Sequence, residues 1–178
     1  MPLVDEKILH LLQSNNEYDQ IKGLQILGSE RHIKPSKLAT ECAIKLLKSG
    51  TSYVKETAIF SMGLHWACIE AYPIIVSILK NRFEDEDTLI MAVQAMPRYM
   101  DRDFFEKDAV LSMLASIVLD ESVSKDLRAV SYVSALIVGK RISDKKTIAR
   151  IPDEFDKLEI DWCWLKKIKG QGATSQFS

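Results

Sequence analysis

Apolar residues recur every three or four positions along most of this chain, which is the spacing of an amphipathic helix. The segment that carries Val110, Leu111, Leu114, Ile117 and Val118 shows this spacing clearly. A sustained alternation of apolar and polar residues, which would indicate strands, is absent from the sequence. The pattern therefore predicts an all-α protein.

Short clusters of Gly, Pro, Ser, Asn and Asp divide the chain into helices of ordinary length. Two helix starts carry capping chemistry: Ser36 follows Pro35, and Asp103 has Glu106 at the capping-box position. The predicted helices cover residues 3–13, 17–28, 36–48, 52–67, 71–82, 86–100, 104–119, 123–141 and 154–169.

The second helix of each successive pair ends in a related dipeptide. These dipeptides are Leu27-Gly28, Met62-Gly63, Met96-Pro97 and Val138-Gly139, at steps of 35, 34 and 42 residues. A period of this size with two helices per unit is typical of an α-solenoid, in which each unit buries its apolar face against its neighbours. The sequence therefore predicts stacked helix pairs.

One unit carries a recognisable pattern: an apolar residue and a base, small residues three or four apart, then an apolar residue and glycine. Its residues are Val54, Lys55, Ala58, Ser61, Met62 and Gly63, and the pattern resembles the second helix of HEAT repeats. The resemblance covers about residues 1–141. It implies an armadillo-type right-handed α-α superhelix of about four helix pairs. A C-terminal capping helix would complete one domain at 1–169, followed by a flexible tail at 170–178.

Composition narrows the classes of partner. With 24 basic and 25 acidic residues the net charge is −1, and a nucleic-acid binder usually carries a basic excess, so nucleic acid is not an expected partner. The apolar stretches are too short to cross a bilayer, and residues 1–7 lack the pattern of a secretory signal. Cys42, Cys68 and Cys163 are interpreted as reduced core thiols. Together these features predict a cytoplasmic protein.

Motifs of catalysis are missing from the sequence. It holds neither a phosphate-binding loop, nor a dinucleotide fingerprint, nor a nucleophile elbow. Of His10, His32 and His65, only the last has a potential ligand nearby, Cys68, and two ligands do not make a metal site. We therefore expect no metal, no cofactor and no enzymatic activity.

HEAT-type stacks bind partners on their inner curve, which is lined by one face of each second helix. Aromatic residues and arginine are enriched at the centres of protein interfaces. Alignment of the second helices predicts a partner-binding strip of mixed apolar and basic character, made of Lys22, Gln25, Glu56, Phe60, Gln94, Arg98, Arg128 and Tyr132. The alternative is that the final helix buries Phe60 and Tyr132.

Acidic residues cluster at two predicted helix starts. They are Glu84, Asp85, Glu86, Asp87, Asp101 and Asp103. Negative charge at a helix start caps the backbone and complements the helix dipole, which is sufficient to explain the clusters. The functional alternative is an acidic rim that faces a basic partner.

These features favour a non-catalytic scaffold that binds another protein in a concave groove. A small, acid-rimmed helical repeat is similar to the immunity proteins with which bacteria block toxins. The alternative is a HEAT-like enzyme, such as a DNA alkylation-repair glycosylase or a bilin lyase, with Trp66, Trp162 or a groove carboxylate in the active role. The neutral charge and the short chain weigh against a glycosylase.

Overall fold

The computed structural model describes residues 2–29, 35–81, 83–100, 107–142, 155–157 and 159–174. Nine α-helices and no strand occur in these ranges, which confirms the all-α prediction. The helices are α1 (Pro2–Leu12), α2 (Glu17–Ser29), α3 (Lys37–Ser49), α4 (Ser52–Ile59), α5 (Tyr72–Lys80), α6 (Glu86–Tyr99), α7 (Lys107–Val118), α8 (Lys125–Val138) and α9 (Trp162–Thr174). None of the helices in these ranges is long and apolar enough to cross a membrane.

Side-chain caps fix two of the helix starts. The hydroxyl of Ser36 accepts a hydrogen bond from the Ala39 amide at 3.2 Å, as the Pro35-Ser36 pattern predicts. The hydroxyl of Ser124 does the same for the Leu127 amide, also at 3.2 Å. The predicted capping box at Asp103 lies outside the described residues.

The helix predicted at 52–67 changes its winding halfway. α4 ends at Ile59 and continues as a π-helical segment, Phe60–His65, in which the Trp66 amide donates to the Ser61 carbonyl at 3.2 Å. Ala67 then adopts a left-handed backbone conformation with φ 43°, which stops the helix. Periodicity alone does not distinguish a π segment from an α-helix.

The prediction of one continuous helix at 154–169 is wrong. The structure has a 3₁₀ turn at Phe155–Lys157 and then α9, which runs from Trp162 to Thr174. The Asp161 carboxylate accepts a hydrogen bond from the Trp164 amide at 2.9 Å, and this cap sets the start of α9. A local cap therefore overrides the apolar spacing that joined Phe155 to the later residues.

The chain forms two compact units, residues 1–98 and 99–178. In the first unit the helices pack in sequential pairs, α1 on α2 and α3 on α4, and the pairs meet through α1 with α3 and α2 with α4. Their shared core contains fully buried Leu24, Leu47, Val54, Ile59 and Met62. Apolar burial of this kind is the main force that stabilises the pairs.

Two glycines of the first unit allow close contact between second helices. A Cβ at Gly28 would lie 2.8 Å from the Ser61 hydroxyl oxygen, and a Cβ at Gly63 would lie 2.9 Å from the Ala95 Cβ. The Ser61 hydroxyl also donates to the Leu24 carbonyl at 2.6 Å. The repeated glycines of the sequence thus mark places where one second helix touches a small residue of the next.

The second unit is centred on α7, which packs against both α8 and α9. Leu114 and Leu165 are fully buried and Phe155 is 5% exposed. Gly139 at the end of α8 makes room for α9, since a Cβ there would lie 3.0 Å from the Trp164 ring. The terminal segment is thus part of the core of this unit.

Candidate functional site

Phe60 is the exposed aromatic residue at the start of the π-helical segment. Its side chain is 41% exposed, although it lies in the most regular repeat of the sequence. The His65 ring packs edge-on against it, with ring centroids 4.6 Å apart and planes at 62°. The phenyl ring is therefore held in place and still accessible.

A cleft of about 430 Å³ opens beside this segment. In the described part of the chain it is lined by Gly28, Leu64, His65, Trp66 and Arg98. Two side chains are fixed at its wall by bonds to backbone carbonyls: Arg98 Nε donates to Leu64 and Trp66 Nε1 donates to Leu27, each at 2.9 Å. The cleft thus combines an indole, an imidazole and a guanidinium in defined positions.

The local backbone explains this arrangement. A π-helical turn holds more residues than an α turn, so each residue after Phe60 advances by a smaller angle around the helix axis than in an α-helix. Gly63 is buried against Ala95 and Ile75. The left-handed Ala67 costs about 1–2 kcal/mol relative to ordinary helix, and irregular backbone of this kind is common at functional sites.

Most of the predicted strip in the first unit is on the surface. Glu56 is half-buried, and the exposed members are Lys22, Gln25, Phe60, Gln94 and Arg98. The contacts Gly28 to Ser61 and Gly63 to Ala95 place the three second helices that carry them side by side. The structure therefore brings together helices that the sequence analysis related only by their spacing.

The two strip residues of the second unit are engaged in its packing. Tyr132 is 6% exposed, and its ring lies edge-on to Phe155 with centroids 6.4 Å apart. Arg128 Nε donates to the Val118 carbonyl at 3.0 Å, and its guanidinium lies 6.0 Å from the Phe155 ring centre. Tyr132 is thus buried against Phe155 within its own unit, whereas Phe60 of the first unit is exposed.

The acidic residues that precede and begin α6 differ in their surroundings. Glu84 is nearly buried, and both of its carboxylate oxygens accept hydrogen bonds from Lys55 Nζ at 2.9 Å. Asp85 accepts a hydrogen bond from the Asp87 amide at 3.1 Å, while Asp85, Glu86 and Asp87 are all exposed. Asp101 and Asp103 lie outside the described residues. Capping therefore explains Asp85, and an ion pair explains Glu84.

Glu56 lies close to Asp85 and Asp87. Burial raises the pKa of Glu56 above its usual 4.5, and the charges of Asp87 and Asp85 raise it further. A raised pKa in the folded state means that the ionised carboxylate destabilises the fold. This destabilisation is absent below about pH 4.5 and develops as the pH rises through the folded-state pKa.

Replacing Glu56 by glutamine is therefore expected to raise the melting temperature at pH 7 in buffer with EDTA, because the variant removes the repelled charge. The gain should disappear near pH 4, where the wild-type carboxyl is protonated too. Thermal melts at the two pH values measure the difference. Glu41→Gln is the control: it removes an exposed carboxylate paired with Lys37 at 3.9 Å, which should change stability little. Equal gains for Glu56→Gln at both pH values would contradict the prediction.

Phe83 is a surface residue that the sequence analysis did not select. Its side chain is 99% exposed, in the turn between α5 and α6 that also carries Glu84 and Asp85. The sequence signal that could have identified it is a phenylalanine among polar turn residues. A turn offers such a side chain no apolar face to pack on, which indicates that the ring is exposed. Phe83 adds an apolar anchor beside the acidic residues.

The cysteines have different surroundings. Cys68 Sγ donates to the Glu70 carboxylate at 3.0 Å, and burial together with this bond raises the pKa of the thiol to about 11. A protonated thiol is a poor nucleophile and a poor metal ligand. Cys42 is half-buried, whereas Cys163 is exposed, so the expectation of a core thiol is wrong at Cys163.

The site described above consists of the Phe60 ring, the neighbouring cleft and the exposed ends of Gln94 and Arg98. Its chemistry is that of a contact surface: an exposed apolar ring beside an imidazole, an indole and a guanidinium. Comparisons of the chain with protein-family models, with curated proteins and with solved structures give no match.

Proposed function

We propose that this chain is a non-catalytic protein-binding module of the HEAT-like solenoid type, and that its first unit carries the interface. The observation that carries the proposal is Phe60, a 41% exposed aromatic ring that packs against His65, one of the residues lining the cleft. Large exposed aromatic side chains with fixed geometry are frequent at the energetic centres of interfaces.

The packing of the first unit supports the solenoid part of the proposal. Contacts between α1 and α3 and between α2 and α4 are those expected when successive helix pairs stack in the same orientation. Hydrogen bonds continue this stacking from one second helix to the next: the Trp66 side chain donates to the Leu27 carbonyl, and the Arg98 side chain donates to the Leu64 carbonyl. Such a layer presents matching faces of successive helices to a partner.

The fixed side chains support the binding part. Ordering a flexible side chain at an interface costs roughly 0.5–1.5 kcal/mol. Phe60 and Arg98 are already restrained, by the His65 ring and by the Leu64 carbonyl respectively, so little of this cost remains on association. The surface is therefore suited to bind with useful affinity over a modest area.

The partner that fits best is a protein with a basic region. The turn before α6 and the first residues of this helix expose three acidic side chains close to the exposed ring of Phe83; these are Asp85, Glu86 and Asp87. Complementary charge accelerates association and excludes partners of the wrong sign. A bacterial toxin blocked by its immunity protein is the specific version of this hypothesis.

The test begins with copurification of the tagged chain with the products of the neighbouring reading frames, followed by measurement of affinity for the stoichiometric partner. Phe60→Ala and Arg98→Glu are each expected to weaken binding at least about tenfold, because each removes an anchor of the interface. Phe83→Ala is measured in parallel to locate the contribution of the acidic turn.

Tyr18→Ala is the matched control, since Tyr18 on α2 is 71% exposed and lies outside the predicted strip. Unchanged affinity of both Phe60→Ala and Arg98→Glu, with native circular dichroism, would exclude the surface around Phe60 and Arg98 as the interface. Tight binding of a DNA duplex at low salt, without a protein partner, would favour the glycosylase-like alternative.

A further inference from the structure

Three carboxylates from two separate segments meet at the start of α6. Glu56 projects from α4, whereas Asp85 and Asp87 belong to the turn before α6 and its first residues. One carboxylate oxygen of each residue lies within 4.8 Å of the others. Like charges at this distance repel one another, and a cation bound among them would relieve the repulsion.

The neighbouring cation is already engaged elsewhere. Lys55 precedes Glu56 in the chain, but its ammonium group is bonded to both oxygens of Glu84. Within the described ranges none of the three carboxylates forms an ion pair. Asp85 is also fixed by its hydrogen bond from the Asp87 amide at 3.1 Å, so it does not turn away from the cluster.

Thr88 provides a second, independent feature of the same place. Its side chain is completely buried, and its hydroxyl makes no hydrogen bond of ordinary geometry to any described residue. This hydroxyl lies beside the Glu56 carboxylate. A buried hydroxyl that makes no regular hydrogen bond, beside three carboxylates, indicates a position for a ligand.

The donors of the cluster are all oxygens, which select hard cations. Ca²⁺ accepts oxygen ligands in irregular geometry, whereas Mg²⁺ requires a near-ideal octahedron with short bonds. Carboxylates that come from two separate segments, with oxygens within 4.8 Å of one another, therefore suit Ca²⁺ better than Mg²⁺. The half-buried Glu56 would make one side of such a site, and the exposed aspartates leave the other side open to water.

We propose that Glu56, Asp85 and Asp87, supported by the Thr88 hydroxyl, form a Ca²⁺-binding site that joins α4 to the start of α6. Water completes the coordination, since three carboxylates supply fewer than the usual six to eight ligands. A site with this many waters belongs to the weak class, with a dissociation constant on the order of 10⁻⁴–10⁻³ M.

The experiment has two parts. The full chain, treated with EDTA to remove bound metal, is titrated with CaCl₂ in a calorimeter. Thermal melts are then recorded in EDTA and in a Ca²⁺ concentration of about five times the measured dissociation constant, which is roughly millimolar. Wild type is expected to bind one Ca²⁺ and to melt at a higher temperature in Ca²⁺ than in EDTA. Asp87→Asn should bind Ca²⁺ at least about tenfold more weakly. In EDTA the same variant should melt no lower than wild type, because it relieves repulsion.

Asp126→Asn is the matched control, because Asp126 is an exposed aspartate in the first turn of α8. It should retain wild-type Ca²⁺ binding. Thr88→Val keeps the shape of the side chain and removes the hydroxyl, and it should weaken Ca²⁺ binding while the chain stays folded. Mg²⁺ should bind at least about tenfold more weakly than Ca²⁺.

Three outcomes would overturn the site. One is the absence of a Ca²⁺-dependent rise in the melting temperature of wild type. Another is an equal rise in wild type and Asp87→Asn, which would place the bound ion elsewhere. The third is an Asp87→Asn variant that gains the same stability over wild type in EDTA and in Ca²⁺, since the cluster would then be repulsive under both conditions.

Discussion

Replacing Leu165 by alanine is expected to lower the free energy of unfolding of the second unit by about 2–5 kcal/mol. Leu165 is fully buried in α9, which packs against α7, so truncation removes apolar contacts and leaves a cavity. Urea denaturation followed by tryptophan fluorescence measures the change, since Trp162 and Trp164 lie on the same helix.

Lys166→Ala is the control for this substitution. Lys166 is the next residue of α9 and is exposed, so its truncation should change stability by less than about 0.5 kcal/mol. If Leu165→Ala behaved like Lys166→Ala, α9 would not be docked on α7 in solution. Such a result would contradict the assignment of the terminal helix to the core of the second unit.

The second large effect is expected at Gly63, where valine should destabilise the first unit by about 3 kcal/mol. A Cβ there would lie 2.9 Å from the Ala95 Cβ and 3.1 Å from the Ile75 side chain, and the branched side chain adds two more methyl groups. The π-helical segment and α6 would have to separate. Denaturation followed by far-ultraviolet circular dichroism, which reports the helix content, tests this loss.

Two further variants separate crowding from helix propensity. Gly170→Val places the same side chain where nothing lies within 4 Å, and it should change stability by less than about 0.5 kcal/mol. Combining Ala95→Gly with Gly63→Val should recover part of the loss, because it removes the methyl group that the valine meets. Losses that simply add would show that the crowding is not at Ala95.

Helix positions could be predicted from the sequence because the signals are local. Apolar spacing and turn clusters act within a few residues, and a cap such as Ser36 bonds to an amide three residues later. The π-helical segment and the left-handed Ala67 could not be predicted in this way. They depend on contacts such as those of Gly63 with Ala95, which come from distant parts of the chain.

The candidate surface was predictable in part for the same reason. Alignment of the second helices places Phe60 in the predicted strip, and the structure leaves that ring exposed. It does not indicate that Phe155 packs on Tyr132, because the two residues are far apart in the sequence. Periodicity also does not indicate that Glu56 lies near Asp85 and Asp87, because this proximity depends on how α4 packs against the start of α6.

The distribution of tryptophans supplies an optical probe of the cleft. Trp66 is the one tryptophan of the first unit, and its indole N–H is bonded to the Leu27 carbonyl in the cleft wall. In a chain carrying Trp162→Phe and Trp164→Phe, all indole emission would come from that wall. A partner that covers Phe60 and Arg98 would exclude water from the indole and shift its emission towards shorter wavelengths, so binding could be followed without a label.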